Sequence, residues 1–133
     1  MGEVRVTVKL SNMADIYQLL QGKIRADEVR ACELEAVVDT GAVNSVIPRA
    51  IAEKLALAVF KTERAQYANA YQEEVDVATP MLVEIAGRTT TDEPFIIGNE
   101  ILIGQTVLEK TDLLVDCFST LDKKKDKACV KTD

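Results

Sequence analysis

The chain has 133 residues, of which 47% are apolar and 29% charged, and its formal net charge is −6 at pH 7. This length and composition are typical of one soluble globular domain with its own core. The acidic balance argues against nucleic acid as a partner, because its phosphates would be repelled by most of the surface. The chain contains no histidine, which excludes Ser-His-Asp and Cys-His machinery and the usual zinc sites within one chain.

Neither a membrane span nor a signal peptide is indicated. No apolar run approaches the roughly 20 residues that cross a bilayer, and the N-terminus lacks the basic-then-apolar layout of a secretory signal. The three cysteines, Cys32, Cys117 and Cys129, stand at wide, unpatterned spacing, which is typical of a reducing compartment and suggests no metal site. We therefore expect a cytoplasmic protein that binds no membrane and needs no metal or other cofactor.

The first part of the chain predicts two strands separated by an ambiguous segment. Residues 4–10 alternate apolar and polar side chains, which indicates a half-buried strand, and residues 29–38 return to that pattern. Residues 11–28 fit either a short helix with one apolar face or an irregular loop that covers part of the sheet. We favour the loop.

The middle of the chain predicts a short strand, a helix and one long strand. Residues 45–47 are the short strand, and Pro48 opens a helix through about residue 57, because a proline at a first helical position sacrifices no hydrogen bond. Within residues 75–85, apolar side chains recur at odd-numbered positions, which predicts a long strand that bends near Pro80. A turn at residues 86–88 then leads back towards a strand around residues 95–97.

The last part predicts a strand at 101–103, a brief helix at 105–109 and a final strand at 113–115. Few short helices, many strands and regular turn signals indicate a mainly-β fold, a small closed β-barrel-like domain over residues 1–120. Residues 121–133 are charged, and we expect a flexible tail there. The lysines in this tail are balanced by acidic neighbours, which favours a solvated segment over a phosphate-binding patch.

Residues 36–42 read Ala-Val-Val-Asp-Thr-Gly-Ala, so that an apolar strand leads directly into a carboxylate, a hydroxyl and a glycine. Asp39 then lies at the end of a strand, on a turn that glycine makes easily, where a carboxylate is a candidate for chemistry. The alternative is that Asp39 only begins the turn by accepting a hydrogen bond from a following N–H. The functional interpretation is favoured by a second apolar strand ending in glycine, Ile101-Leu102-Ile103-Gly104, which can lie beside the Asp39 turn.

In this order, the motifs resemble those of the retropepsin-like aspartic proteases, which include the retroviral proteases and bacterial single-domain relatives. The matching segments are residues 36–42, 45–48, 66–69, 101–108 and 113–116. The resemblance extends over about residues 29–117, and residues 4–10 fit the family's first strand. It implies the mainly-β retropepsin (acid protease) fold and an aspartic endopeptidase that cleaves peptide or protein substrates as a homodimer.

The resemblance also assigns roles to the residues of the turn. The two Asp39 carboxyl groups of a homodimer would share one proton, so that one activates water while the other hydrogen-bonds the peptide carbonyl. Thr40 would hydrogen-bond across the dimer axis, the alternative being a cap on its own turn. Gly41 and Ala42 would let the two turns approach closely. Asp116 lacks the Asp-Thr/Ser-Gly context of a second catalytic carboxylate, and we interpret it as structural or exposed.

Residues 66–76 correspond to the family's flap, a hairpin that closes over the substrate. The candidate substrate-binding residues of this flap are Tyr67, Ala68, Asn69, Ala70 and Tyr71. The alternative for the two tyrosines is ordinary packing within a strand.

Two departures from the family's pattern leave a rival hypothesis open. The flap has no glycine near Ala70, and Gln105-Thr106 replaces the Arg-Asn of retroviral relatives. Gln105 cannot carry the charge with which an arginine ties the last helix to the dimer interface. The rival is a catalytically weak or inactive module for dimerisation or peptide binding. A thiol-dependent enzyme using Cys32 or Cys117 is disfavoured, since the chain offers no histidine partner.

Overall fold

The structure, a computed structural model, describes residues 4–66, 71–116 and 128–131. The strands in these residues are β1 Val4–Asn12, β2 Ala31–Val38, β3 Val46–Ile47, β4 Val59–Gln66, β5 Gln72–Ala78, β6 Met81–Ile85, β7 Arg88–Asp92, β8 Phe95–Ile96, β9 Leu102–Ile103, β10 Leu113–Asp116 and β11 Ala128–Lys131. The helices are α1 Met13–Leu20, α2 Arg49–Lys54 and α3 Gln105–Thr111, with a 3₁₀ turn at Ala26–Glu28. The predicted mainly-β class is confirmed.

Nine strands form one sheet in the order β4-β5-β8-β3-β9-β2-β1-β6-β7. The long β1 pairs antiparallel with β2 over most of its length and with β6 through its second half. The sheet curls into a half-barrel, with β4 and β7 at its two ends. The predicted barrel-like curl is therefore present, but the described strands form an open half-barrel and not the closed ring that we expected.

The concave side of the sheet and the helices enclose one hydrophobic core. Its largest fully buried side chains include Leu10, Ile47, Leu55, Met81, Ile85, Ile103 and Leu108. These residues come from β1, β3, β6, β9, α3 and the end of α2, so the core joins both halves of the sheet. No helix in the described part of the chain is long and apolar enough to cross a membrane.

The loop predicted over residues 11–28 is wrong, because β1 continues to Asn12 and α1 follows directly. The Asn12 side chain accepts a hydrogen bond from the backbone N–H of Asp15 at 3.1 Å and so caps the helix. Its Nδ2 donates to the carbonyl of Leu55 at 2.8 Å. One buried amide thus starts α1 and ties it to the end of α2, a contact that the local sequence pattern cannot reveal.

The second half of the chain differs from the prediction in its strand boundaries. The long strand expected over residues 75–85 is two strands, β5 and β6, separated at Thr79 and Pro80, because proline has no N–H for a ladder hydrogen bond. β7 was not predicted, since its polar Arg-Thr-Thr-Thr-Asp sequence shows no apolar alternation. Arg88 of β7 donates to the carbonyl of Thr111 at 2.9 Å, which holds the end of α3 against the sheet.

The helices also differ from the prediction. The described residues contain three α-helices where one or two were expected; α2 ends earlier than predicted and α3 ends later. Within the expected flexible tail, Ala128–Lys131 forms β11 and pairs parallel with β10. The rest of the tail, residues 121–127 and 132–133, lies outside the described residues, and the domain boundary at residue 120 remains a prediction.

An ion pair between the buried Asp15 and the exposed Arg30 joins the start of α1 to the residue before β2. Asp15, only 4% exposed, accepts hydrogen bonds from the backbone N–H, Nε and Nη2 of Arg30 at 3.0, 2.9 and 2.8 Å. The hydrogen bonds from the Arg30 side chain hold the pKa of Asp15 below its ordinary value of 3.8 and outweigh burial, which acts in the opposite direction.

This pair predicts part of the acid sensitivity of the fold. A lowered carboxyl pKa contributes stability that is fully present above the ordinary value and is lost as the pH falls through the lowered one. We expect Asp15→Asn to lower the Tm at pH 7 and to leave a smaller further loss on acidification than the wild type shows. Thermal unfolding followed by circular dichroism between neutral pH and pH 2 measures both.

The control is Asp27→Asn, because Asp27 pairs with Arg25 and both side chains are about three-quarters exposed. A surface pair of this kind contributes little, so this variant should unfold like the wild type at every pH. An Asp15→Asn protein whose Tm follows the wild-type pH profile would contradict the role of the Asp15–Arg30 pair in acid sensitivity.

Candidate active site

Asp39 directly follows β2, and the neighbouring strand fixes its position. The backbone N–H of Val37 donates to the carbonyl of Ile101 at 2.9 Å, and that of Asp39 donates to the carbonyl of Ile103 at 3.0 Å. Val37 and Val38 pair in parallel with Leu102 and Ile103. The structure therefore places the second apolar strand beside the Asp39 turn, where the sequence analysis put it.

Within the turn, the chain folds back onto its own carboxylate. The N–H of Gly41 donates to Asp39 Oδ1 at 3.0 Å, and the N–H of Ala42 donates to the Asp39 carbonyl at 3.1 Å. A Cβ atom on Gly41 would lie 3.3 Å from Asp39 Oδ1. Asp39 is half-buried and Thr40 is exposed. The alternative interpretation, in which Asp39 only begins the turn, expects the hydrogen bond from Gly41, and this bond is present. It involves Oδ1 alone, and Oδ2 accepts no hydrogen bond from the described residues.

Gly104, directly after β9, lies very close to the backbone of Val43 and Asn44, at the end of the Asp39 turn. A Cβ atom there would lie 2.7 Å from both the carbonyl carbon and oxygen of Asn44 and 2.8 Å from the carbonyl oxygen of Val43. Real Cβ atoms do not approach backbone atoms to such distances, so only glycine fits. The N–H of Gly104 also donates to the buried hydroxyl of Ser45 at 3.2 Å.

The first turn of α3 is held by the same segment. The backbone N–H of Gln105 donates to the carbonyl of Ala42 at 2.7 Å, and that of Thr106 donates to the carbonyl of Val43 at 3.1 Å. Helix N-termini leave their first N–H groups without intrahelical partners, and here the Asp39 turn supplies the acceptors. Because these donors are backbone groups, Gln105 makes this contact as well as an arginine would.

Asp39 lies in a groove of about 610 Å³. The groove is lined by the Asp39 turn, at Asp39 and residues 41–44, together with Val46, Phe95 and Leu102. It is also lined by the arm of β4 at Glu63, Arg64 and Ala65 and by the loop at residues 97–100. A cleft of this size accommodates a short stretch of peptide.

The arm of β4 belongs to an antiparallel hairpin. β4 and β5 pair from Val59↔Ala78 to Gln66↔Gln72, so the hairpin is longer than the flap predicted over residues 66–76. Tyr67, Ala68, Asn69 and Ala70 lie outside the described residues. Tyr71 is 56% exposed and does not line the groove.

The sequence analysis missed the groove residues on the arm of this hairpin, Glu63, Arg64 and Ala65. Both faces of β4 are largely exposed, so no apolar alternation marks it as a strand. The sequence indicates β4 only indirectly, because a predicted hairpin tip requires a strand on each side of it. Asp116, which the sequence analysis interpreted as structural or exposed, ends β10 and pairs with Lys131 of β11. Among the described residues, no group of three histidine, cysteine or carboxylate side chains could hold a metal ion.

A family model described as gag-polyprotein putative aspartyl protease matches residues 13–110. The matched segment is well over half of the chain and contains the Asp39 turn, both arms of the β4–β5 hairpin, β9 and nearly all of α3. The chain belongs to this family. A search of the curated proteins finds no match. Membership in this aspartyl protease family confirms the resemblance seen in the sequence.

The close approach at Gly104 gives a testable prediction for the stability of this member of the family. We expect Gly104→Ala to lower the free energy of unfolding by roughly 1–3 kcal/mol, because the new methyl group meets backbone that must shift. Gly41→Ala should lower it less, since the nearest atom there is the end of a side chain. Urea unfolding of both variants makes the comparison. A Gly104→Ala protein as stable as the wild type would contradict the geometry.

Proposed function

We propose that the protein is an aspartic endopeptidase that hydrolyses peptide bonds with water activated between two Asp39 carboxylates. The observation that carries this proposal is the hydrogen bonding of the two Asp39 carboxylate oxygens in the groove. Its Oδ1 is oriented by the N–H of Gly41 at 3.0 Å, whereas Oδ2 has no partner among the described residues. An oriented carboxylate with one oxygen available, in a peptide-sized cleft, suits proton transfer to and from water.

One chain supplies one such turn, so the second carboxyl group comes from a second copy of the chain. Hydrolysis of an amide by activated water needs a base and an acid together, and two close carboxyl groups that share one proton provide both. The side chain of Thr40 is exposed and that of Val43 is 67% exposed on the same turn. These two residues offer a surface on which the partner's turn can pack, with Thr40 forming the hydrogen bond across the axis.

The substrate in this proposal is an extended segment of peptide or protein in the cytoplasm. An extended backbone can pair with a strand edge while alternate side chains enter pockets. β4 lies at one end of the sheet, and its residues Glu63–Ala65 border the groove. The hairpin tip with Tyr67, Ala68, Asn69 and Ala70 would close over the bound segment as a flap.

Removal of the carboxylate tests the chemistry directly. We expect Asp39→Asn to reduce kcat/KM for a peptide substrate by at least about a thousandfold while the fold and Tm are retained, because an amide cannot exchange the proton. Asp27→Asn, which removes the same charge at an exposed site, should cleave like the wild type. The measurement is cleavage of a quenched fluorescent peptide library at mildly acidic pH.

The same experiment separates the enzyme from its rival. Cleavage retained in Asp39→Asn would remove Asp39 from the mechanism. A wild-type protein that binds peptides in the groove and cleaves none of them would instead support the module for dimerisation or peptide binding.

Mixed dimers test the need for two copies of Asp39. When wild-type and Asp39→Asn chains are mixed and allowed to exchange, we expect activity to follow the square of the wild-type fraction, because a mixed dimer carries one carboxylate. Sedimentation equilibrium reports the dimer in parallel. Activity in simple proportion to the wild-type fraction would show that one chain is sufficient.

A further inference from the structure

A second cavity adjoins the active-site groove and shares walls with it. This cavity, here called the side pocket, has a volume of about 370 Å³. Asn44, Glu63 and Phe95 line both the groove and the side pocket. A peptide that lies in the groove past Asn44 can therefore place one of its side chains in the side pocket.

The side pocket has an apolar part and a charged part. Val77, Pro80 and Phe95 contribute apolar surface. The charged part comes from Glu63, Asp92 and Glu93 and from Lys110 of α3. Three carboxylates and one ammonium group thus line the side pocket.

Asp92 is the most unusual of these carboxylates. It is 6% exposed, and its Oδ1 accepts a hydrogen bond from the backbone N–H of Glu93 at 3.0 Å. Its Oδ2 is buried and has no hydrogen-bond partner in the described part of the chain. A buried carboxylate oxygen without a donor is unfavourable, and its negative charge acts through the pocket wall on whatever occupies the cavity.

Among the described residues, the cations near the pocket form no ion pair with Asp92. Lys110 donates to the carbonyl of Thr91 at 2.5 Å and forms no ion pair within the described residues. Lys61 pairs with Glu63 at 2.7 Å, and this hydrogen bond raises the pKa of Lys61, with a further contribution from the charge of Glu93. Glu63 thus has a partner, whereas neither Asp92 nor Glu93 has a cation within ion-pair distance in the described structure.

We propose that the side pocket binds a cationic side chain, lysine or arginine, of the peptide in the groove. This inference rests on the proposed function for the presence of that peptide. The aliphatic stem of such a side chain would pack on Val77, Pro80 and Phe95 while its charged head compensates Asp92 and Glu93. The net charge of −6 also favours the approach of basic segments.

Peptide binding to the Asp39→Asn protein tests the pocket without cleavage. A neutral, fluorescently labelled extended peptide is given lysine, glutamine or glutamate at each position in turn, and affinity is measured by fluorescence polarisation. We expect one position at which lysine binds about three- to tenfold more tightly than glutamine and glutamate binds more weakly. The preference should fall clearly when Asp39→Asn is combined with Glu93→Gln or with Asp92→Asn, because each variant removes one of the two charges that the cationic head compensates.

Glu93 is exposed, so Glu93→Gln keeps the test decisive if Asp92→Asn fails to fold. The matched control is Glu84→Gln, which removes an exposed carboxylate that lines neither cavity and should leave the preference unchanged. Equal affinity for lysine and glutamine at every position would overturn the inference, as would a preference that Glu93→Gln leaves undiminished.

Cleavage by the wild-type protein separates this inference from the proposed function. Efficient cleavage of peptides without any preference for lysine would overturn the proposal that the side pocket binds a cationic side chain. The proposed endopeptidase activity would stand. A lysine preference in binding, with no peptide cleaved, would support the side pocket and overturn the endopeptidase.

Discussion

The site depends on one close approach of two backbone segments, in which Gly104 contacts Asn44 and Val43. A side chain at Gly104 would overlap the carbonyl group of Asn44 at 2.7 Å, so the approach exists only because this residue lacks a Cβ atom. Through it, β9 lies beside β2 and the first turn of α3 reaches the carbonyls of the Asp39 turn. The position of the carboxylate is thus set by main-chain hydrogen bonds from two neighbouring segments.

A turn held by backbone donors places few demands on the side chains around it. Gln105 stands where retroviral relatives have arginine, yet its N–H still donates to the carbonyl of Ala42 at 2.7 Å. The departure that raised the rival hypothesis therefore leaves the Asp39 turn intact. The proposed chemistry and the proposed recognition of substrate also involve different residues: Asp39 and Gly41 belong to the turn, whereas Glu63, Asp92 and Glu93 line the side pocket.

Where a residue's environment is built by its sequence neighbours, the prediction succeeded. β1 and β2 were predicted from apolar alternation, and the family was identified from the Asp-Thr-Gly turn and its companion strand at residues 101–104. The α1 helix was missed because its decisive contact joins Asn12 to Leu55, far apart in sequence. β7 was missed because its polar sequence is a strand only through pairing with β6.

The sequence by itself determined the mainly-β class, the aspartyl protease family and the residue that bears the candidate carboxylate. These follow from local patterns, since alternation and turn chemistry act over a few residues. The tertiary structure alone decided which side chains surround that carboxylate and which buried oxygen lacks a partner. Glu63 and Asp92 meet at one pocket from β4 and β7, the two ends of the sheet. Only the curl of the sheet brings those ends to a shared cavity, because no local pattern encodes the distance between them.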